Sequence, residues 1–237
     1  MNPDPDKVNI KILIVNGSPR KKSNTSILVY DAEEGALINS NVQTEIYNFA
    51  GKNFTPCKGD CGLFHRKNGY CCLKDDFNNF AKMWLQSDAI IYATPVYHMS
   101  IPSCLRSAME RLGAIIFGHA RYAKVDMPRF NKAIGVIAQG NTLYGGQELT
   151  IMNLITHVFC MNCIPVTGKK PYSYIGVGAQ VDSEDHLRNN KEARENAREL
   201  GRRVVEMAKI IKIGIKGYNS AKIIQEYNYR RDFSFPP

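Results

Sequence analysis

Residues 10–15, I-K-I-L-I-V, form an apolar run that breaks at Asn16-Gly17-Ser18-Pro19, and Ser23-Asn24-Thr25 then opens a stretch of helical character. A short apolar strand handed through a small-residue turn into a helix is the building unit of parallel α/β sheets. The same junction is an anion site, because unpaired backbone N–H groups and the positive end of the helix dipole converge there. Ser18, Ser23, Asn24, Thr25 and Ser26 add side-chain donors, and Arg20, Lys21 and Lys22 add positive charge. A plainer alternative is that Ser and Asn simply cap the helix.

No Gly-Lys-Ser/Thr tripeptide follows the loop, and Gly17 does not begin a G-x-G-x-x-G pattern, so neither an ATP loop nor a dinucleotide fingerprint is present. A loop of hydroxyls and amides suits a terminal monophosphate, such as that of a flavin mononucleotide. Asp88–Thr94 is a second β-rich run, cut off by Pro95 and followed by V-Y-H-M-S-I before Pro102 starts a helix. The loop with Tyr97, His98 and Met99 therefore lies just past the carboxyl end of a strand, where open α/β sheets bind ligands. Ala133–Ala138 repeats the pattern, with a polar-aromatic loop from Gln139 to Gly146 after it.

Strands are expected over 10–15, 42–47, 88–94, 133–138 and 164–166, and helices over 25–38, 77–86, 102–114 and 147–159. A long final helix over 184–211 is capped by Ser183 and carries Asn190 on its apolar stripe. Strands and helices in alternation predict an α/β fold: a doubly wound, five-stranded parallel sheet with helices on both faces. Trp84 falls on the apolar stripe of Phe77, Phe80 and Leu85, a core position.

The chain of 237 residues carries a net charge of +9, but its basic residues are scattered. From Asp182 onward 12 Lys and Arg face 9 Asp and Glu, which describes a solvated helix face rather than a nucleic-acid stripe. A general positive field would draw in a polyanionic ligand. No apolar run reaches about 18 residues, and residues 1–9 are polar, so neither a membrane span nor a secretory signal is expected. Seven cysteines, with Cys104, Cys160 and Cys163 in apolar contexts, suit a reducing, cytoplasmic compartment.

The motifs G-S-P-R-x-x-S-N-T, T-P-V-Y-H-M-S-I-P and the glycine-rich loop ending G-G-Q-E, collinear from Ile10 to Val166, resemble the NADPH-dependent FMN reductases of the flavodoxin-like superfamily. The resemblance implies a flavodoxin-like fold and an oxidoreductase that takes hydride from NAD(P)H. Electrons then pass to a small acceptor such as a quinone, a flavin, a ferric complex or a nitro or azo compound. By the same resemblance, Ser18, Arg20, Ser23, Asn24 and Thr25 hold the FMN phosphate. Pro95, Val96, Tyr97 and His98 lie beside the ring, with Gly140, Asn141, Tyr144 and Gly145 opposite. The flavin carries the chemistry, and His98 is the one candidate for a direct part in it. A non-catalytic flavodoxin-like binding module is a further alternative.

Residues 56–77, P-C-K-G-D-C-G-L-F-H-R-K-N-G-Y-C-C-L-K-D-D-F, resemble the compact cysteine motif of the iron-sulfur flavoproteins in that superfamily. This resemblance implies a [4Fe-4S] cluster on Cys57, Cys61 and Cys72, fed by ferredoxin. The pattern departs from that motif. Three residues separate Cys57 from Cys61, Phe64 stands where a third cysteine is expected, and Cys71 is the only nearby substitute. With His65 the same cysteines make a Cys3His composition, although the spacing matches no zinc motif. A cluster, free thiols and a redox-active disulfide all remain open. The domain is expected to span 1–212, with the cysteine loop over 51–76. Residues 213–237, rich in Ile, Tyr and Phe, form an extension that packs on a neighbouring subunit of a homodimer or homotetramer.

Overall fold

The computed structural model describes residues 4–171, 173–181 and 184–217. Five strands form where apolar runs predict them: β1 (Ile10–Asn16), β2 (Val42–Asn48), β3 (Ala89–Pro95), β4 (Ala133–Gly140) and β5 (Ile164–Val166). All pair in parallel in the order β2-β1-β3-β4-β5, the flavodoxin-like doubly wound arrangement. A further short strand, β6 (Val177–Gln180), runs beside the carboxyl half of β4, with Ile137 opposite Val177, while β5 takes the amino half, with Ala133 opposite Ile164. The far edge of the sheet is thus shared by two short strands in tandem.

The helices in chain order are α1 (Asn24–Leu37), α2 (Phe64–Asn68), α3 (Phe77–Gln86), α4 (Ser103–Ala123), α5 (Gln147–Cys160), α6 (Glu184–Asn189) and α7 (Lys191–Gly217). Two of them correct the sequence reading. Helix α4 passes the expected end at Ala114, because Ile115, Ile116 and Ala120 continue its buried stripe until Lys124 turns left-handed at φ 54°. The single helix expected over 184–211 is broken at Asn190, whose side chain accepts from the Ala193 amide at 3.0 Å and so caps α7 instead of lying on its stripe. The expected cap Ser183 lies outside the described residues, as does the extension from Tyr218 onward with its expected subunit contacts. The cysteine loop folds against α4, and α2 within it is short and has no counterpart in the expected elements.

Alternation along the strands sends side chains to two separate cores. Leu13, Val15, Ile90, Tyr92, Ile134 and Val136 pack with α3, α4 and α5, where Trp84 is fully buried and donates to the Tyr92 hydroxyl at 2.7 Å. Ile12, Ile14, Ile91, Ala93 and Ile137 face α1 and α7. Those two helices cross in backbone contact. A Cβ on Gly35 would stand 1.9 Å from the Arg198 carbonyl oxygen, and one on Gly201 would stand 2.0 Å from that of Ala32. Beside the crossing, buried Asp31 accepts from Arg194 Nε at 2.8 Å and from Arg198 Nη2 at 2.7 Å.

Candidate functional site

The strand order reverses beside β1, so the loops after β1, β3 and β4 gather at one carboxyl edge. Gly17 opens the first loop. Its amide donates to the Ala93 carbonyl at 2.8 Å, and a Cβ there would stand 3.2 Å from Thr94 Oγ1 and 3.3 Å from the Ala93 carbonyl oxygen, so the loop lies close against β3 with little room for a side chain. Asn16 shapes the rest of the loop: its Oδ1 accepts from the Ser18 amide at 3.2 Å, and its Nδ2 donates to Ser26 Oγ at 3.1 Å and to Asn48 Oδ1 at 3.0 Å. Ser18 Oγ in turn accepts from the Arg20 amide at 3.2 Å. Ser23 is the N-cap of α1, its Oγ accepting from the Ser26 amide at 3.3 Å. The capping role and an anion role coexist, because capping leaves the other first-turn amides free of intrahelical partners.

After β3 the chain makes a two-residue hairpin. Tyr97 and Ser100 exchange both backbone hydrogen bonds, at 2.8 and 3.0 Å, while His98 (φ 49°) and Met99 (φ 60°) occupy the left-handed central positions. The loop after β4 rests on this hairpin. Gly146 has φ 101°, and a Cβ on it would stand 2.7 Å from Met99 Cα. Gln147 Nε2 donates to the Thr142 carbonyl at 2.8 Å and closes the loop.

These loops enclose a cleft of about 480 Å³. Of the residues named from sequence, Ser18, Arg20, Ser23, Asn24, Pro95, Val96, Tyr97, His98, Gly140, Asn141 and Gly145 line it. Thr25 and Tyr144 do not. Thr25 is buried behind the wall, its Oγ1 accepting from Gln139 Nε2 at 3.2 Å. Tyr144 is 90% exposed and borders a neighbouring depression with Met99 and Leu149. Lys22, Gln139 and Thr142 join the lining. In the sequence Lys22 stands out only as loop charge, and the other two only as members of a loop. Gln139 carries a readable signal, a lone amide ending a wholly apolar strand.

The cleft fits a phosphorylated, hydroxyl-bearing ligand. Arg20, Lys22, Ser18, Ser23 and Asn24 form a donor set with two cationic side chains. Gln139 Oε1 is buried and, among the described residues, meets no hydrogen-bond partner. That orphan is an acceptor awaiting a ligand hydroxyl or N–H.

The cysteine loop is held by a buried ion pair. Arg111 Nη1 and Nη2 donate to Asp75 Oδ2 at 2.6 Å and Oδ1 at 2.9 Å, and both side chains are 1% exposed. Asp75 also accepts from the amides of Thr55 and Phe77, at 2.9 and 3.2 Å. Burial alone would raise the Asp75 pKa, but Arg111 and these two amides outweigh it and hold the carboxyl below its ordinary value. Arg111 Nη2 further donates to Cys71 Sγ at 3.1 Å, fixing that buried thiol inward. Cys57 and Cys72 are exposed and Cys61 is half-buried; Cys61 Sγ lies 3.1 Å from His65 Nδ1. Among the described residues no three His, Cys, Asp or Glu side chains gather as a metal-holding group. With Cys71 committed to Arg111, this donor set does not fit a four-thiolate cluster.

A family described as NADPH-dependent FMN reductase matches residues 10–173. The chain is 30% identical to an iron-sulfur flavoprotein of Methanocaldococcus jannaschii over 86% of its length and 100% of the relative. It is also 30% identical to an iron-sulfur flavoprotein of Archaeoglobus fulgidus, over 84% of this chain and 96% of that one. Among solved structures, a WrbA-like flavodoxin of Agrobacterium tumefaciens superposes with a TM-score of 0.56 at 16% identity, covering 86% of this chain and 99% of the other.

Proposed function

From the premise that this chain belongs to the NADPH-dependent FMN reductase family and is an oxidoreductase, we propose that the cleft holds FMN and serves electron transfer from NAD(P)H to a small-molecule acceptor. When bound, FMN supplies hydride acceptance from the nicotinamide and electron delivery to the second substrate.

The protein's part is to bind, orient and exclude water. Ser18, Ser23 and Asn24, with Arg20 and Lys22, hold the phosphate through charge-assisted hydrogen bonds at the positive end of α1. Val96 and Tyr97, stiffened by the Tyr97–Ser100 hairpin, form the floor beside the ring, and Gly140, Asn141 and Gly145 line the opposite wall. Gln139 Oε1 accepts from a ligand hydroxyl or N–H. Hydride transfer between two planar rings needs stacking and no protein base, so no residue of this cleft requires a proton-transfer role.

The observation that carries this reading is the convergence, in one cleft at the strand-order reversal, of a cationic hydroxyl loop, a stiff hairpin and an orphaned acceptor. Titration of the purified chain with FMN should quench the flavin's fluorescence at one site per chain, and NADPH or NADH should bleach the bound flavin under anaerobic conditions. Failure to bind FMN, or bound FMN that neither nucleotide bleaches, overturns the proposal.

A further inference from the structure

Asn16 is the last residue of β1, 2% exposed and outside the lining of the cleft. Its side-chain amide has a fixed orientation. Oδ1 accepts from the Ser18 backbone N–H at 3.2 Å, and because a backbone amide only donates, the other end of the side chain is the nitrogen. Nδ2 directs its two protons to Ser26 Oγ at 3.1 Å and to Asn48 Oδ1 at 3.0 Å.

Those bonds give the neighbouring hydroxyls a direction. Ser26 Oγ receives a proton from Asn16 and has one of its own to give; the acceptor it meets among the described residues is Ser23 Oγ, at 3.0 Å. Ser23 Oγ also accepts from the Ser26 amide at 3.3 Å, so with Ser26 donating, both lone pairs of Ser23 are used and its own proton is left over. Ser23 lines the cleft, as Ser26 and Asn16 do not. In the reverse arrangement, with Ser23 donating to Ser26, the Ser26 proton has no acceptor and Ser23 has no proton to offer the cleft. Only the first arrangement suits an anion. Ser18 obeys the same rule, since its Oγ accepts from the Arg20 amide at 3.2 Å and keeps its proton free.

We propose, on the reading that this loop holds the FMN phosphate, that Asn16 acts through Ser26 as a positioning residue that turns the Ser23 hydroxyl proton toward that phosphate. Asn16 donates to Ser26, Ser26 donates to Ser23, and Ser23 donates to a phosphate oxygen, each bond polarising the next. The direction is set at the first link, because an amide nitrogen cannot accept. No proton changes its oxygen; the hydroxyls only rotate. In the empty cleft either arrangement leaves one hydroxyl proton without a partner, whereas a bound phosphate completes the row.

Asn16→Asp reverses the first link. A carboxylate oxygen accepts from Ser26, Ser26 then accepts from Ser23, and the Ser23 proton turns away from the cleft. FMN affinity should fall at least about tenfold, while riboflavin, which lacks the phosphate, binds as it does to the wild type. The new charge would itself repel a phosphate, and Ser26→Ala separates the two causes. With no hydroxyl there to capture the Ser23 proton, the Asn16→Asp/Ser26→Ala protein should bind FMN about 3- to 10-fold more tightly than Asn16→Asp alone. Asn16→Ala, with and without Ser26→Ala, makes the same comparison without an added charge and serves if Asn16→Asp does not fold; it should show a smaller loss confined to FMN and the same recovery. Fluorescence titrations of the full-length proteins with both flavins supply every affinity. Equal losses for FMN and riboflavin would reduce Asn16 to a structural role, and failure of Ser26→Ala to recover FMN affinity would leave charge or packing as the cause; either result overturns the relay while FMN keeps its place in the cleft. A wild type that binds no FMN would instead overturn the cofactor reading, and the relay with it.

Discussion

Gln139 and Thr25, 114 positions apart in the chain, are joined by a hydrogen bond of 3.2 Å that engages the Gln139 amide nitrogen behind the cleft wall and leaves its buried oxygen without a partner among the described residues. An acceptor oxygen cannot pair with a phosphate dianion, so its partner belongs to the rest of the ligand. Gln139→Leu should weaken FMN and riboflavin binding by the same factor, about 3- to 10-fold for one neutral hydrogen bond. Parallel fluorescence titrations with the two flavins decide the matter, and a loss confined to FMN would contradict it.

The loop after β1 predicts the opposite selectivity. On the proposed assignment, Arg20→Ala and Asn24→Ala each remove a donor to the phosphate, worth about 1.5 to 3 kcal/mol when charge-assisted. FMN affinity should fall at least about tenfold in each variant, while riboflavin, which lacks the phosphate, binds as before. Lys22→Ala should behave in the same way. Equal losses for both flavins would move the phosphate elsewhere.

Separating Asp75 from Arg111 leaves a charge buried without its partner. Asp75→Asn should therefore destabilise the fold by about 3 to 5 kcal/mol near neutral pH. The pH dependence follows from the lowered carboxyl pKa. The contribution of the pair is complete above the unfolded value of about 3.9 and is lost as pH falls through the folded value below it. Urea midpoints of wild type and variant should converge at low pH; a constant gap down to acid would show that the pair acts through packing alone.

His157 has the reverse chemistry. Burial first, and Arg106 second, lower its pKa to about 4, so the folded protein keeps the ring neutral beside the Tyr92 hydroxyl, 3.4 Å away. Its contribution is present above the ordinary histidine value of about 6.5 and drains away as pH falls toward 4. The loss is at most about 3 kcal/mol, less to the extent that water reaches the cavity beside the ring. In His157→Phe the fall in unfolding free energy across that window should be smaller than in the wild type by about this amount, measured by urea denaturation at successive pH values.

Much of the architecture was legible because buried parallel strands read as unbroken apolar runs, and each begins or ends against Gly, Pro or a polar turn. The misses have local causes. β6 is four residues with a glycine inside it, too short and too weakly patterned to stand out from a loop. Asn190 fits an apolar stripe by position alone, yet its side-chain oxygen does more as a cap. In the site, aromatic character draws attention to Tyr144, but its left-handed backbone, φ 57°, turns it to solvent, whereas Gln139 and Thr142 line the cleft from positions that pattern reading assigns only to a loop. For the cysteines, spacing could not reveal that Arg111, on a helix 40 positions away, claims Cys71.

The backbone contact of α1 with α7 has a consequence for how the protein is made. Asp31 and Arg194 are 163 residues apart, so α1 leaves the ribosome long before the helix that covers it. At about 5 to 20 residues per second, roughly 8 to 30 seconds pass in which the side of α1 that meets α7 lacks its cover. The two glycines leave no slack for a loosely docked intermediate, since the helices either touch at the backbone or stay apart. Newly made chains therefore pass through an interval in which the opposite layer, built from α3, α4 and α5, is complete while this one waits, and chaperones that shield apolar surface have their opening then.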